Sequence, residues 1–261
     1  IVLKEVGGAG QQRLLRAKVL VVGAGGLGCP LVLYLAAAGV GTLGVVDDDV
    51  VSLSNLQRQV AHATARIGTP KTASAAATVA ELNPDVRVIE HPVRLAPDNA
   101  LELIGGYDLV ADGSDNFATR YLVNDACFFA RRTLVTAAIA QFDGQLATFK
   151  AYQEGDHSCY RCIFREPPPG DFDASCARDG ILGALAGVMG SLQAVEVLKE
   201  LLGIGASLSG SLTMYDGLEG RFHRLSVRRD PACPLCGTAP TIRDLAPHRQ
   251  RAPQAAHAAA T

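Results

Sequence analysis

Short apolar runs alternate with longer segments of helical spacing over the first half of the chain. This alternation is typical of parallel β-strands joined by crossover helices. The predicted strands are 19–22, 42–46, 86–90, 107–111, 133–138 and 144–152, followed by a pair at 211–216 and 221–227. In residues 144–152 apolar and polar residues alternate, as in a strand with one solvent-exposed face, so we expect the sheet to become antiparallel there. The pattern predicts an α/β fold with a Rossmann-like, mostly parallel sheet and helices on both faces.

A glycine-rich turn directly follows the first predicted strand. Gly23-x-Gly25-x-x-Gly28 opens a helix of small residues, where backbone N–H groups can approach and attract a phosphate. The second strand ends at Asp47, about 20 residues further on, the spacing at which a carboxylate meets a ribose hydroxyl. The turn therefore predicts a nucleotide-binding crossover, although a nicotinamide-dependent oxidoreductase shares this glycine pattern.

Two polar stretches follow, and both carry residues suited to phosphate chemistry. Within Ser54–Gln59, the planar guanidinium of Arg58 could clamp phosphate oxygens. Lys71 begins a helix, where the dipole disfavours a cation, so a bound anion would explain it; a plain surface lysine is the alternative. Asp115, after the fourth strand, can cap the next helix, hold a magnesium ion between phosphates, or do both.

Composition excludes several classes of protein. The 261 residues are 48% hydrophobic and 19% charged with net charge −2, so the chain lacks the basic footprint of a protein that binds nucleic acid or an anionic membrane. The most apolar segment, 179–193, is too short and too rich in Gly and Ala to span a bilayer, and we interpret it as a buried helix. With no secretory segment visible, we expect a cytoplasmic protein of one large or two small domains.

Four of the seven cysteines form two pairs of metal-ligand spacing, Cys159-x-x-Cys162 and Cys233-x-x-Cys236. Two such knuckles predict a closed, structural zinc site of four thiolates. Unlinked cysteines or two local disulfides are the alternatives. Cys29 and Cys127 are expected to be buried packing residues.

Together these motifs resemble the ubiquitin-activating-enzyme-like superfamily, and within it the MoeB/ThiF group of sulfur-carrier adenylyltransferases. The matching positions are Gly23–Gly28, Asp47, Ser54–Gln59, Lys71, Asp112–Asn116, Arg120, Cys159, Cys162, Cys176, 187–193, 214–216, Cys233 and Cys236. The resemblance implies ATP-dependent adenylation of the C-terminal Gly-Gly carboxylate of a ubiquitin-like sulfur carrier, with release of pyrophosphate.

The resemblance also assigns roles to individual residues. It implies ATP contacts at Gly26, Asp47, Ser54, Asn55, Leu56, Gln57, Arg58, Lys71, Asp115 and Asn116, with Mg²⁺ positioned by Asp115. Arg58, Lys71 and Asp115 would carry the adenylation step. Cys176 would take the activated carrier as a thioester or in a sulfur relay; an inert cysteine is the alternative.

The expected organisation is an adenylation domain over residues 1–236 and a flexible tail over 237–261. Residues 18–140 would bind nucleotide, and residues 141–236 would bind the carrier and zinc. A homodimer is expected, and His248 and His257 are expected to be solvated. An arginine-rich lead-in of the family, Arg-Tyr-x-Arg-Gln, has no match in the sequence. Two other functions stay open: the oxidoreductase, and a non-catalytic adaptor that binds a carrier.

Overall fold

The structure, a computed structural model, describes residues 2–167 and 180–249. In these ranges the strands form one eight-stranded sheet in the order β3-β2-β1-β4-β5-β6-β7-β8. The strands are β1 Lys18–Val22, β2 Thr42–Val46, β3 Arg87–His91, β4 Leu109–Asp112, β5 Thr133–Ala140, β6 Asp143–Phe149, β7 Ser211–Asp216 and β8 Arg221–Ser226. The helices are α1 Gly7–Arg16, α2 Gly28–Ala37, α3 Lys71–Leu82, α4 Ala100–Gly105, α5 Phe117–Ala130, α6 Tyr160–Ile163, α7 Gly183–Leu202 and α8 Ala246–Arg249.

The parallel half of the sheet brings three strand ends together. β1 pairs with both β2 and β4, and Val22 is in register with Val46 and with Asp112. The strand order reverses at β1, where the chain crosses first towards β3 and then back towards β5. Open α/β sheets bind ligands in the crevice at such a switch point, at the carboxyl ends of the strands.

Helices cover both faces of the sheet, as the sequence predicted. In β1, Val19 and Val21 pack into a core with α2 and α7, whereas Leu20 and Val22 pack into a second core with α4 and α5. Burial of a strand on both faces explains why β1 is a continuous apolar run rather than an alternating one.

The predicted antiparallel continuation is confirmed: β5 to β8 pair antiparallel in sequence order. The first helix, Gly7–Arg16, precedes β1. The apolar stretch predicted as a buried helix falls largely in α7. Among the described residues, no helix is both long enough and apolar enough to cross a membrane.

The segment that ends at residue 249 packs against the sheet. Leu245 is buried in the second core, and His248 Nε2 lies 2.8 Å from Asp125 Oδ2. The expectation that His248 is solvated is therefore wrong. The reason is that Leu245, buried in the second core, holds α8 against that core, where His248 contacts the fully buried carboxylate of Asp125. His257 lies outside the described residues.

Candidate nucleotide site and thiolate cluster

The glycine turn after β1 lies directly against the turn after β4. Gly23 has a φ of +90°, and a Cβ added to it would lie 3.1 Å from the carbonyl oxygen of Gly113. A Cβ on Gly28 would lie 1.8 Å from the carbonyl oxygen of Gly23. Only glycine fits these positions, because the first needs a left-handed backbone and the second has no room for a side chain.

Asp47 braces this turn. Its two carboxylate oxygens accept hydrogen bonds from the backbone N–H groups of Ala24, at 2.8 Å, and Asp49, at 2.9 Å. Burial raises the pKa of Asp47 above its ordinary value, while the positive charge of Lys71 acts in the opposite direction. The carboxylate thus holds the turn in place and faces the space in front of it.

Lys71 is a buried cation at the first position of α3. It is 4% exposed, and its Nζ lies 2.7 Å from Asp49 Oδ2 and 3.9 Å from Asp47 Oδ1. The alternative of a plain surface lysine is therefore wrong. The side chain reaches inwards because two carboxylates at the end of β2 attract it across the N-terminus of its own helix.

The loop after β2 places Arg58 over the glycine turn. Arg58 Nη2 donates to Asn55 Oδ1 at 3.1 Å. A Cβ on Gly26 would lie 3.4 Å from Arg58 Cγ and 3.1 Å from Ala186 Cβ in α7. The arginine therefore packs on the turn, which α7 supports from the other side.

Asp115 does not cap α5. The N-cap is Asn116, whose side chain accepts a hydrogen bond from the backbone N–H of Thr119 at 2.8 Å. The prediction of an Asp115 cap is wrong because Asp115 stands one residue too early to reach that donor. Asp115 is exposed, and its Oδ1 lies 3.5 Å from Asn116 Nδ2.

These elements enclose one cavity of about 620 Å³ at the switch point. The predicted nucleotide residues that line it are Gly26, Asp47, Ser54, Asn55, Gln57, Arg58, Lys71, Asp115 and Asn116. Leu56 is half-buried and does not line the cavity. The volume lies within the range of about 300–1,000 Å³ that is usual for sites of small ligands.

The wall of the cavity contains two polar groups that lie in the matched segments Ser54–Gln59 and Asp112–Asn116 but received no role from the sequence. Gln59 and Ser114 are 4% and 7% exposed and line the cavity. Gln59 Oε1 and Ser114 Oγ have no hydrogen-bond partner among the described residues. A buried polar atom without a partner is costly, at about 1–3 kcal/mol, so both suit a polar ligand such as a nucleotide.

Arg94 and Arg120 also line the cavity. Arg120 is 9% exposed and donates to the carbonyl oxygens of Ser114, at 2.7 Å, and Ala137, at 3.3 Å. With Arg58 and Lys71, the lining has four cationic side chains, and it also has four carboxylates, Asp47, Asp48, Asp49 and Asp115. The cations can contact phosphate oxygens, and the carboxylates can bind a ribose hydroxyl or a metal ion.

The four paired cysteines meet at one point, as their spacing predicted. All four sulfur atoms lie within 4.8 Å of one another, and the contacts of Cys159 with Cys233 and of Cys162 with Cys236 are 3.6 Å and 3.4 Å long. A tetrahedral zinc ion with bonds of about 2.3 Å to sulfur would separate its thiolates by about 3.8 Å, so the donor set and spacing fit that ion. All four are free thiols in the structure, which rules out the local disulfides considered above.

The remaining cysteines divide into two groups. Cys29 and Cys127 are buried, and burial raises the pKa of the Cys29 thiol to about 12. Their predicted packing role is confirmed. Cys176 lies outside the described residues, so its predicted covalent role stays a prediction; Gly180, four positions later, lines the cavity.

The fold and cavity place the protein among the nucleotide-binding α/β proteins. A family model described as ThiF family matches residues 1–235, so the chain belongs to the ThiF family. The chain is 54% identical over 247 residues to a sulfur carrier protein adenylyltransferase of Thermus thermophilus, which covers 94% of this chain and 91% of that protein.

It is also 53% identical over 243 residues to adenylyltransferase and sulfurtransferase MOCS3 of Mus musculus, which covers 93% of this chain and 52% of that protein. The chain thus spans about half the length of MOCS3. Among solved structures, E. coli MccB with ATP superposes with a TM-score of 0.76 at 23% identity, over 87% of this chain and 68% of that chain. That likeness supports the fold.

Proposed function

We propose that this protein transfers AMP from ATP to the C-terminal Gly-Gly carboxylate of a ubiquitin-like sulfur-carrier protein. The observation that carries the proposal is the cavity itself. It brings the glycine turn, Asp47, Arg58, Lys71 and Asp115 to one place at the switch point. Similarity to a sulfur carrier protein adenylyltransferase over nearly the whole chain supports the same reaction.

The reaction needs no nucleophile from the protein. One carboxylate oxygen of the carrier attacks the α-phosphorus of ATP, an oxygen–phosphorus bond forms, and the bond from the α-phosphorus to the bridging oxygen breaks. Pyrophosphate leaves with that electron pair, and the carrier becomes an acyl adenylate. Two anions must approach each other, so most of the rate would come from positioning and from cations placed beside the developing charge.

The residues of the cavity suit these roles. We assign the ribose to Asp47, and the phosphates to the glycine turn, Arg58 and Lys71. The ammonium group of Lys71 donates a hydrogen bond to the carboxylate of Asp49, whose side chain is 68% exposed. Because this carboxylate is open to solvent, a phosphate can compete with it for the ammonium group. We assign Mg²⁺ to Asp115, whose carboxylate is left free of the capping role by Asn116. The ion would neutralise charge on the departing pyrophosphate.

We also propose zinc as the metal of the thiolate cluster, with a structural role. The cluster joins Cys159 and the short helix α6, which lie between β6 and β7, to residues 233–236 near the end of the described chain. Four thiolates leave no open position on a tetrahedral ion, so the ion would stabilise the fold and take no part in the reaction. Residues 18–140 then form the nucleotide half and residues 141–236 the carrier and zinc half of one adenylation domain.

For the partners, we propose that β7 and β8 help to bind the carrier and that the protein forms a homodimer. Every residue of β8 is exposed, which gives a sheet surface open to a second protein.

On α7, Val188 and Val195 are 40% and 54% exposed, a stripe that a second copy of the chain could cover. Sedimentation equilibrium of the Val195→Glu variant would show dissociation if this stripe is the contact.

Cys176 is our proposed acceptor after adenylation. Its thiolate would attack the carbonyl carbon of the acyl adenylate, form a thioester and release AMP. Replacement of Cys176 by Ser should leave adenylation intact and remove the covalent adduct seen by mass spectrometry. An unchanged adduct would exclude Cys176 as the acceptor.

Carrier-dependent exchange of labelled pyrophosphate into ATP tests the proposed function. The wild-type protein should catalyse the exchange only with a carrier that ends in Gly-Gly. Arg58→Ala should lower the rate by about 100-fold or more, as expected when one preorganised cation is lost from a phosphoryl-transfer site. Arg16→Ala, an exposed arginine on α1, is the matched control. Normal exchange by Arg58→Ala would contradict the assigned chemistry, and an absence of exchange by the wild type would favour the adaptor.

A further inference from the structure

His62 is a buried titratable residue to which the proposed reaction gives no role. It follows the loop of Arg58 and is 8% exposed. Both ring nitrogens are engaged: Nε2 lies 2.9 Å from the carbonyl oxygen of Ala24, and Nδ1 lies 2.9 Å from Ser74 Oγ. The imidazole therefore joins the glycine turn to the first turn of α3.

The two contacts fix the tautomer of the ring. The Ala24 carbonyl can only accept a hydrogen bond, so Nε2 must carry the proton. In the neutral ring Nδ1 is then an acceptor and the hydroxyl of Ser74 donates to it. Burial lowers the pKa of His62, and the neighbouring positive charges of Lys71 and Arg66 act in the same direction. The Ala24 carbonyl therefore requires a proton on Nε2, and burial favours the neutral ring, to whose Nδ1 the Ser74 hydroxyl donates.

The elements joined in this way are the two that face the phosphates in the proposed function. Ala24 lies inside the glycine turn, and its N–H is held by Asp47 while its carbonyl is held by His62, with a longer contact of 3.4 Å from the Cys29 thiol. Ser74 lies three residues after Lys71 on the same helix. The ring thus links the glycine turn to the backbone of α3, whereas Asp47 links the same turn to the ammonium group of Lys71 over a longer distance of 3.9 Å.

We propose that His62 is a positioning residue that holds the glycine turn and Lys71 at the separation needed for transfer of the adenylyl group. The inference rests on the proposed function, because it concerns the same cavity. Its physical basis is that a displacement of about 1 Å in a reacting site can lower the rate by about 100-fold. Without the ring, the 3.9 Å approach of Asp47 to Lys71 remains between the turn and α3, and this looser contact allows their separation to vary.

Two substitutions of His62 separate the hydrogen bond to Ala24 from the hydrogen bond to Ser74. His62→Gln keeps an amide donor of similar reach to Nε2 and can still bond to the Ala24 carbonyl. His62→Leu keeps the bulk and loses both hydrogen bonds. His157→Gln is the control, since His157 Nδ1 lies 2.8 Å from Ser209 Oγ, a similar histidine–serine contact that does not line the cavity.

We expect His62→Leu to lower kcat for carrier-dependent pyrophosphate exchange by about tenfold or more, with a smaller change in the KM for ATP. His62→Gln should stay within about fivefold of the wild type. The control should match the wild type, and nitrogen NMR of the wild-type imidazole should show the Nε2–H tautomer. Full kcat in His62→Leu, equal losses in the Leu and Gln variants, or an Nδ1–H tautomer would each overturn the proposal.

The two proposals fail in different ways. If the wild-type protein catalyses no exchange, the proposed function fails, whereas the tautomer still tests the geometry at His62. In that case the affinity for a non-hydrolysable ATP analogue, measured by calorimetry, replaces kcat. We then expect weaker binding by His62→Leu than by His157→Gln, and equal affinities would overturn the role of His62.

Discussion

Replacement of Lys71 by Met tests the electrostatics of the site through the neighbouring carboxylate. Asp47 is partly desolvated, which raises its pKa, and Lys71 is the nearby charge that opposes this shift. In the variant that opposition disappears. The pKa of Asp47 should therefore rise further, and the backbone hydrogen bonds that it accepts from Ala24 and Asp49 should weaken as it becomes protonated.

The magnitude follows from the distance. Charges 3.9 Å apart interact by about 4 kcal/mol at an effective dielectric constant of about 20. The side chain of Asp49 is 68% exposed, so water enters this side of the cluster and screens the pair. We therefore expect the pKa of Asp47 to rise further, at a cost below this Coulomb energy.

This shift makes the loss of stability depend on pH. A carboxyl group whose pKa is higher in the folded than in the unfolded state destabilises the folded protein most at a pH above the folded value. The cost falls as the pH decreases through the folded pKa and vanishes below the unfolded value of 3.8. Lys71→Met should thus lose up to about 4 kcal/mol of stability near neutral pH and less under mildly acidic conditions.

Urea unfolding of the wild type and of Lys71→Met, at about pH 7.5 and about pH 5, measures this difference. The matched control is the same comparison in an Asp47→Asn, Asp49→Asn background, in which neither carboxylate beside Lys71 can titrate. The effect of Lys71→Met in that background should be independent of pH. A difference between wild type and Lys71→Met that is the same at both pH values would refute the reasoning, because the two charges would then not be coupled.

Three further predictions concern stability. In urea titration, Gly28→Ala should lower the free energy of unfolding by more than about 3 kcal/mol, because its Cβ would lie 1.8 Å from the Gly23 carbonyl oxygen. Gly8→Ala is the control, since its Cβ would meet no described atom within 4 Å, and it should not destabilise the protein. Arg161→Met should cost about 3–5 kcal/mol in that assay, because it leaves the buried Asp125 carboxylate without its paired cation. Removal of the metal by a chelator should lower Tm by more than about 10 °C in calorimetry, and an unchanged Tm would exclude a structural metal.

The sequence predicted the parallel half of the sheet well because its signals are local. The apolar run of β1, the glycines that follow it and Asp47 lie within about 30 residues, the length of one βαβ unit. Their spacing alone requires a strand, a turn and a helix in that order. The paired cysteines were equally informative, since two short knuckles of thiolates have few uses other than a shared metal.

The contacts that complete the site could not be predicted in the same way. The links from His62 to Ala24 and from Lys71 to Asp49 join residues that are 38 and 22 positions apart. The first depends on how the segment before α3 packs on the glycine turn, and the second on how α3 packs against the end of β2. His248 contacts Asp125, which is 123 positions away in the sequence, and no local sequence pattern predicts such a contact. Packing decides these pairs, and a composition-based expectation of a solvated tail misses them.

The N-cap of α5 shows a different limit of prediction from sequence. Both Asp115 and Asn116 are good N-cap residues, so sequence preference does not choose between them. The backbone chooses, because Asn116 is extended and its side chain reaches the N–H of Thr119. The result matters for function, since it leaves the carboxylate rather than the amide free at the cavity.

The most direct measurement of the central claim is to follow the carboxylate oxygen of the carrier. A carrier labelled with oxygen-18 in its C-terminal carboxylate is incubated with the protein and ATP, and hydroxylamine is added to cleave the activated carrier. Attack on the α-phosphorus predicts that the released AMP contains one oxygen-18 atom, because the carboxylate oxygen becomes the bridging oxygen of the acyl adenylate. Label found in inorganic phosphate instead, or unlabelled AMP, would contradict the account.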